Sequence, residues 1–341
     1  MSIVPIIDMA SAFDGSEHAR RTLAKEIASA CENIGFFMVT GHRIPRALVE
    51  EADGLSRDFF DLPAEEKMRI AVPPGKNRGF RSVGAANTAM AIKSGEEGRA
   101  STEKEPPQPD LRETLFTGAE PVAGDDYYRR PGAERFFQHN VWPERPAALK
   151  QALETYYNSC TQLSASLMRL FALALEKPET FFDDKIDHHV TALNAVHYPK
   201  QTSPARAGQF RSGPHTDFGG LTVLATDGSP GGLQVQLEGQ WHDVMPIPDA
   251  LIINLGDLMA RWTNDRWRST FHRVVNPPPD VAASTRRLSL VYFHQPNFDA
   301  HIECLPSCLA PGEKAKYPPT TSGEHLMAQL ARIYEPKKVV A

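Results

Sequence analysis

Gly213-Pro214-His215-Thr216-Asp217-Phe218-Gly219-Gly220-Leu221-Thr222 lies within the part of this 341-residue chain where apolar residues recur with the period of a strand rather than a helix. From about Val190 to about Phe298, short apolar or alternating runs are separated by Gly, Pro and Asp. The runs are Thr191 to Tyr198, His215 to Ala225, Gly232 to Gln236, Ala250 to Leu255, Phe271 to Asn276 and Arg287 to His294. Many short strands with turn punctuation predict a mainly β core of jelly-roll type, with helical support elsewhere (α+β).

His215 and Asp217 stand two residues apart, so on a strand they share a face while Thr216 points away. A third ligand must come from another strand. His272, inside the β-branched run Ser269-Thr270-Phe271-His272-Arg273-Val274-Val275, is placed to supply it. Two imidazoles and a carboxylate on one side of a metal leave positions open for a cosubstrate, O2 or water, the arrangement Fe(II) needs to activate dioxygen. Zinc accepts the same ligands, so ligand type alone leaves the metal open. Other pairs fit less well. His301-x-Glu303 stands past the strand region, the adjacent His242-Asp243 would face opposite sides of a strand, and His188-His189 has no carboxylate at strand spacing.

The run Arg287-Leu288-Ser289-Leu290-Val291-Tyr292-Phe293-His294 puts Arg287, Ser289, Val291 and Phe293 on one face. A guanidinium beside a hydroxyl can grip a carboxylate through charge-assisted hydrogen bonds. Phe210, Leu221, Val223, Val291 and Phe293 are candidate walls of a substrate pocket.

Upstream, Leu23, Ile27, Cys31 and Ile34 recur at helical spacing before Gly35, and Phe36-Phe37-Met38-Val39 reads as a buried strand. A helix from about Pro45 to Asp61 follows, with Leu48, Ala52, Leu55 and Phe59 on one face. Between about Arg99 and Pro146 periodicity disappears, and Lys104-Glu105-Pro106-Pro107-Gln108-Pro109 suits a lid or binding loop. Leu149, Leu153, Tyr157, Cys160, Leu163, Leu167, Leu170 and Ala174 make the apolar stripe of a long helix that stops near Lys177-Pro178. The chain divides into an N-terminal support and lid region, 1–135, and a β region, 136–341, expected to pack as one catalytic unit.

Lysine and arginine total 37 against 42 acidic residues, and no basic run marks a nucleic-acid footprint. The N-terminus lacks a secretory pattern and no apolar stretch approaches the ~20 residues of a membrane span, so a cytoplasmic protein acting on a small molecule is expected. Cys31, Cys160, Cys304 and Cys308 are too scattered for a disulfide framework, and Cys304-x-x-x-Cys308 lacks the partner pair of a zinc site. Nothing in the sequence sets the oligomeric state; a monomer is compatible with it.

His-x-Asp, a distant His and Arg-x-Ser together resemble the isopenicillin N synthase-like branch of the non-haem Fe(II)/2-oxoglutarate oxygenases. The likeness extends through Pro5-Ile6-Ile7-Asp8, Gly35-Phe36-Phe37 with Gly41-His42, Phe59-Phe60-Asp61-Leu62-Pro63, Trp142-Pro143, Tyr198-Pro199, Gly232-Leu233-Gln234-Val235 and Asn254-Leu255-Gly256-Asp257. It implies a double-stranded β-helix (cupin-like) core, Fe(II) ligands at His215, Asp217 and His272, and Arg287 and Ser289 on the distal carboxylate of 2-oxoglutarate, with help from Tyr198. The activity implied is oxidation of a small metabolite by O2, whether hydroxylation, desaturation or cyclisation, with release of succinate and CO2. Alternatives are an iron oxidase that dispenses with 2-oxoglutarate, an ethylene-forming type of enzyme, and a metal-binding jelly roll without turnover. The chain departs from many relatives in having Asn194 and Val196 where they carry Arg and Asn, and Asn264-Asp265-Arg266-Trp267 where they have an Asn-Gly turn.

Overall fold

The computed structural model describes residues 3–91, 108–230, 232–282 and 284–334. Lys104 to Pro107 of the proline-rich stretch therefore lie outside the described residues. In chain order the helices are α1 (Ala10–Asp14), α2 (Glu17–Asn33), α3 (Arg46–Phe60), α4 (Ala64–Met68), α5 (Leu149–Ala174), α6 (Asp183–Ile186), α7 (Asp257–Trp262) and α8 (Ser322–Tyr334). The strands are β1 (Ile6–Asp8), β2 (Phe36–Thr40), β3 (Gly79–Arg81), β4 (Glu113–Gly118), β5 (Ala192–Tyr198), β6 (Ser212–His215), β7 (Leu221–Thr226), β8 (Leu233–Leu237), β9 (Gln240–Asp243), β10 (Leu251–Leu255), β11 (His272–Val274), β12 (Arg287–His294), β13 (His301–Ile302) and β14 (Thr320–Thr321).

Two sheets form the jelly-roll core. The larger runs β1-β2-β10-β7-β12-β5-β4-β3 and the smaller β6-β11-β8-β9. Strands from the first 135 residues thus complete the sheet built by the later ones, and they do so through backbone pairing: β2 pairs β10 and β4 pairs β5 over six residues. The outer face of the large sheet carries Leu115, Leu193, Ala195, Leu221, Val223, Leu251, Ile253, Leu288, Leu290 and Tyr292, which pack with α2, α3 and α5 in one core cluster. The inner face meets the small sheet through two smaller clusters. Phe36, Met38 and Ile252 pack with Leu233 and Val235, while Val196, Tyr198 and Val291 pack around Val274.

Helix α2 ends where Gly35 takes φ 71°, and a side chain there would meet the Arg268 carbonyl at 2.2 Å. Only glycine fits that close approach. Two expectations need correction. The segment taken as irregular contains β4, whose Glu-Thr-Leu-Phe-Thr-Gly pattern is too short to announce itself and becomes a strand by pairing with β3 and β5. The run expected from His215 to Ala225 is two strands in different sheets. β6 ends at His215, β7 begins at Leu221, and the chain crosses between them at Gly219 and Gly220.

Behind the sheet, His294 and His189 lie with ring centres 5.8 Å apart. Burial, then the neighbouring His189, pushes His294 down to about 3; burial, then His188, pushes His189 down to about 4. Below about pH 6.5 the unfolded chain takes up protons that the folded chain refuses. The stability due to these neutral imidazoles is complete above pH ~6.5 and lost as pH falls toward about 4 and 3. Lowering the pH to about 5 is expected to remove about 2 kcal/mol per imidazole. Urea unfolding followed at near-neutral pH and at about pH 5 checks this, and identical midpoints would contradict it.

Candidate metal centre

His215 is the last residue of β6 and His272 the first of β11; the two are paired directly across the small sheet. Their Nε2 atoms lie 3.9 and 3.7 Å from Oδ1 of Asp217, and the three ligand atoms all fall within 4.8 Å of one another. Among the described residues this is the cluster of His, Cys, Asp and Glu groups able to hold a metal ion. Asp217 reaches it from beyond the strand end. His215 and Asp217 therefore do not share a strand face as expected; a loop carries Asp217, its backbone fixed by Asp257, which donates its N–H to the Asp217 carbonyl at 2.8 Å.

Hydrogen bonds orient each of the three side chains. Nδ1 of His215 faces the Gly213 carbonyl at 2.8 Å and Nδ1 of His272 faces the Thr270 carbonyl at 3.1 Å. A carbonyl can only accept, so each Nδ1 carries the proton and each Nε2 presents its lone pair inward. Oδ2 of Asp217 accepts from the Thr222 hydroxyl and from Nδ2 of Asn254 at 2.6 Å, which leaves Oδ1 for a metal. Burial, and then the proximity of His272, pushes His215 down to about 3, so it is neutral at physiological pH. Burial pulls the Asp217 carboxyl upward, but the two imidazoles and the bonds from Thr222 and Asn254 outweigh it and hold the group ionised. Two imidazoles whose Nδ1 atoms are turned to carbonyls, leaving Nε2 facing inward, and one carboxylate fit a divalent ion of intermediate softness. Asn254→Ala is expected to weaken Fe(II) affinity roughly 10- to 100-fold while leaving the protein folded. Titration with Mn(II) as an air-stable surrogate measures it, and an unchanged dissociation constant would count against the role given to Asn254.

Arg287, at 2% exposure, starts β12 directly opposite Tyr198 of β5. Its Nη1 donates to the carbonyls of Asp227 and Ser229 at 3.1 and 3.3 Å, while its Nε is buried without a partner. An orphaned charged donor is costly unless a ligand meets it, and a carboxylate would. The Ser289 hydroxyl, two residues along the same face, sits 3.2 Å from that of Thr226. Burial lowers the Arg287 pKa, partly offset by Asp227 and Tyr198. Burial likewise raises the Tyr198 hydroxyl, against the pull of Arg112, Arg287 and Arg211.

The five residues expected to line a pocket divide. Val291 and Phe293 do lie on the inner face, since their neighbours Leu290 and Tyr292 belong to the helix-packed core. Phe210 lies under the guanidinium of Arg273 at 4.9 Å. Leu221 and Val223 are corrected: they belong to the outer core with α2, α3 and α5, and the inward residues of β7 are Thr222, Leu224 and Thr226. Asn254, Thr222 and the fully buried Arg211 were not anticipated as site residues. An asparagine inside the apolar run Leu251-Ile252-Ile253-Asn254-Leu255 is a readable signal; a lone arginine before β6 is not.

Residues 4–145 match the family described as non-haem dioxygenase in morphine synthesis N-terminal, and residues 188–296 match the 2OG-Fe(II) oxygenase superfamily. The chain is 35% identical over 323 residues to the 2-oxoglutarate-Fe(II) type oxidoreductase hxnY of Emericella nidulans, an alignment covering 93% of this chain and 86% of that one. It is 31% identical over 327 residues to validamycin A dioxygenase of Streptomyces hygroscopicus subsp. limoneus, covering 95% and 85%. Among solved structures, a full-length Neurospora crassa protein in complex with alpha-KG and thymine superposes with a TM-score of 0.79 at 30% identity, covering 96% of each chain.

Proposed function

This chain belongs to the isopenicillin N synthase-like branch of the non-haem Fe(II)/2-oxoglutarate oxygenases and is a dioxygenase dependent on both, and we propose that His215, Asp217 and His272 hold its iron while Arg287, Ser289 and Tyr198 hold 2-oxoglutarate. When bound, iron and 2-oxoglutarate together activate O2 for oxidation of a substrate C–H bond, and the cosubstrate leaves as succinate and CO2. The observation that carries the residue assignment is the convergence of two Nε2 atoms and one Oδ1, each fixed by a hydrogen bond from its own other end.

The residues of the chain divide the remaining work. Thr222 and Asn254 keep Asp217 turned toward the ion, Arg287 neutralises the distal carboxylate, and the apolar surround of Val196, Val274 and Val291 keeps water away from it. The substrate is a small molecule rather than a nucleic acid, in keeping with the thymine bound by the Neurospora protein and the balance of charge here. Four free cysteines suit a reducing cytoplasmic setting, and no helix among the described residues is long and apolar enough to cross a membrane.

The test is anaerobic addition of 2-oxoglutarate to the Fe(II)-loaded protein, followed by its visible charge-transfer absorption, and then admission of air with measurement of succinate. A metal-loaded protein that develops no cosubstrate-dependent absorption and releases no succinate would overturn the assignment of Arg287, Ser289 and Tyr198.

A further inference from the structure

Asn194 of β5 is only 7% exposed, and its Oδ1 has no hydrogen-bond partner. A buried amide oxygen left without a donor costs on the order of 1–3 kcal/mol, which a bound ligand can recover. The side chain lies on the inner face of the large sheet, because its neighbours Leu193 and Ala195 pack in the helix-covered core while Val196 and Tyr198 pack toward the small sheet. Strand register sets its level. Asn194 is directly opposite Val291, which is itself opposite Leu224. One alternate step along is Thr222, the residue that bonds Asp217; one step the other way is Thr226, which meets Ser289. Asn194 therefore sits between the row that carries the metal ligand and the row that carries the cosubstrate anchor, each about 7 Å away along the strands.

Two rings flank it. Phe116 of β4 is directly opposite, and Phe293 of β12 is one alternate step along. Both alternate with outer-core residues, Leu115 and Tyr292, and so lie on the inner face, where both are only partly buried. Apart from Arg287, assigned to the cosubstrate, the charges near Asn194 on this face have partners within the protein. Arg81 stands over the Phe116 ring at 5.2 Å, Arg112 pairs with Asp110 at 3.2 Å, and Asp217 belongs to the metal cluster. Among the described residues no carboxylate there is left to receive a cationic substrate. The Asn194 carboxamide offers an acceptor with a donor beside it, which matches an edge bearing adjacent N–H and C=O groups at two points.

Resting on the proposed function of this site, we infer that Asn194 is its substrate-selecting residue and that the substrate is a neutral, flat molecule with a lactam or imide edge, stacked by Phe116 and Phe293.

The test uses the full chain loaded with Fe(II) and 2-oxoglutarate under argon, with thymine, uracil and 2-pyridone as probes, 1,3-dimethyluracil as the edge-blocked control, and arginine as the cationic control. Substrate binding is read as perturbation of the cosubstrate charge-transfer absorption. At least one of the three edge-bearing probes is expected to bind, the dimethylated compound and arginine are not, and Asn194→Leu is expected to weaken the probe roughly 10- to 100-fold. Iron content and 2-oxoglutarate affinity of Asn194→Leu should match the wild type, which shows that the variant is folded. Should all three edge-bearing probes fail, should the blocked compound or arginine bind as well, or should Asn194→Leu bind the probe as the wild type does, the inference is overturned. Failure of the functional reading itself looks different: the wild type would then show no cosubstrate absorption before any probe is added.

Discussion

Asp217→Ala is expected to leave the protein without measurable Fe(II) binding and without turnover. The carboxylate is the only anionic candidate ligand of the cluster among the described residues. Two imidazoles alone hold a divalent ion far more weakly in a buried site, because neither offsets its charge. The substitution also strands the Thr222 hydroxyl and the Asn254 amide, which both point at Oδ2. Each loses a bond worth about 1–2 kcal/mol, partly compensated by no longer burying a charge. A modest fall in melting temperature should therefore accompany complete loss of metal. Metal content after gel filtration, together with a thermal melt of the apo forms, separates the two effects. Iron held at the wild-type level by a folded Asp217→Ala protein would remove the basis of the assignment.

Arg287→Ala should behave in the opposite sense, keeping iron and losing 2-oxoglutarate. Its guanidinium is held by the Asp227 and Ser229 carbonyls rather than by the three candidate ligands, and it faces Tyr198 across the strand pair. Truncating a buried cation that pairs with a ligand carboxylate costs ~2–5 kcal/mol of binding, or roughly 30- to several thousand-fold in affinity. Arg287→Lys restores the charge but not the planar fork, so it should recover only part of the loss. Anaerobic titration with 2-oxoglutarate, read by its absorption, measures all three proteins. If Arg287→Ala lost iron in step with Asp217→Ala, the separation of metal site from cosubstrate anchor would fail.

Much of the site was legible because its residues sit in runs whose chemistry is odd for their setting. An arginine and a serine alternate with apolar residues from Arg287 to His294, and that run is a strand over those same residues. His272 stands in a β-branched run and begins β11. The helices α2, α3 and α5 followed the apolar stripes that predicted them. Where the reading failed, the cause was a partner far away in sequence. β4 is a strand because β5 and β3 flank it, and the residues after His215 leave the strand because the next strand belongs to the other sheet. Asn254 and Thr222 reach Asp217 only after β10 and β7 have been laid side by side, with Asn254 opposite Thr222.

By itself the sequence determined which side chains could meet a metal and a carboxylate, and which neighbours along one strand must share a side, since covalent geometry alternates them every residue. It did not determine which side that was. Both faces of the large sheet are covered, one by helices and one by the small sheet, so the apolar row Leu221-Val223-Ala225 of β7 does not by itself say whether it faces the helices or the site. Only the packing of α2, α3 and α5 against one face decided that Leu221 and Val223 lie outside and that Thr222, Asn194 and Phe116 line the interior.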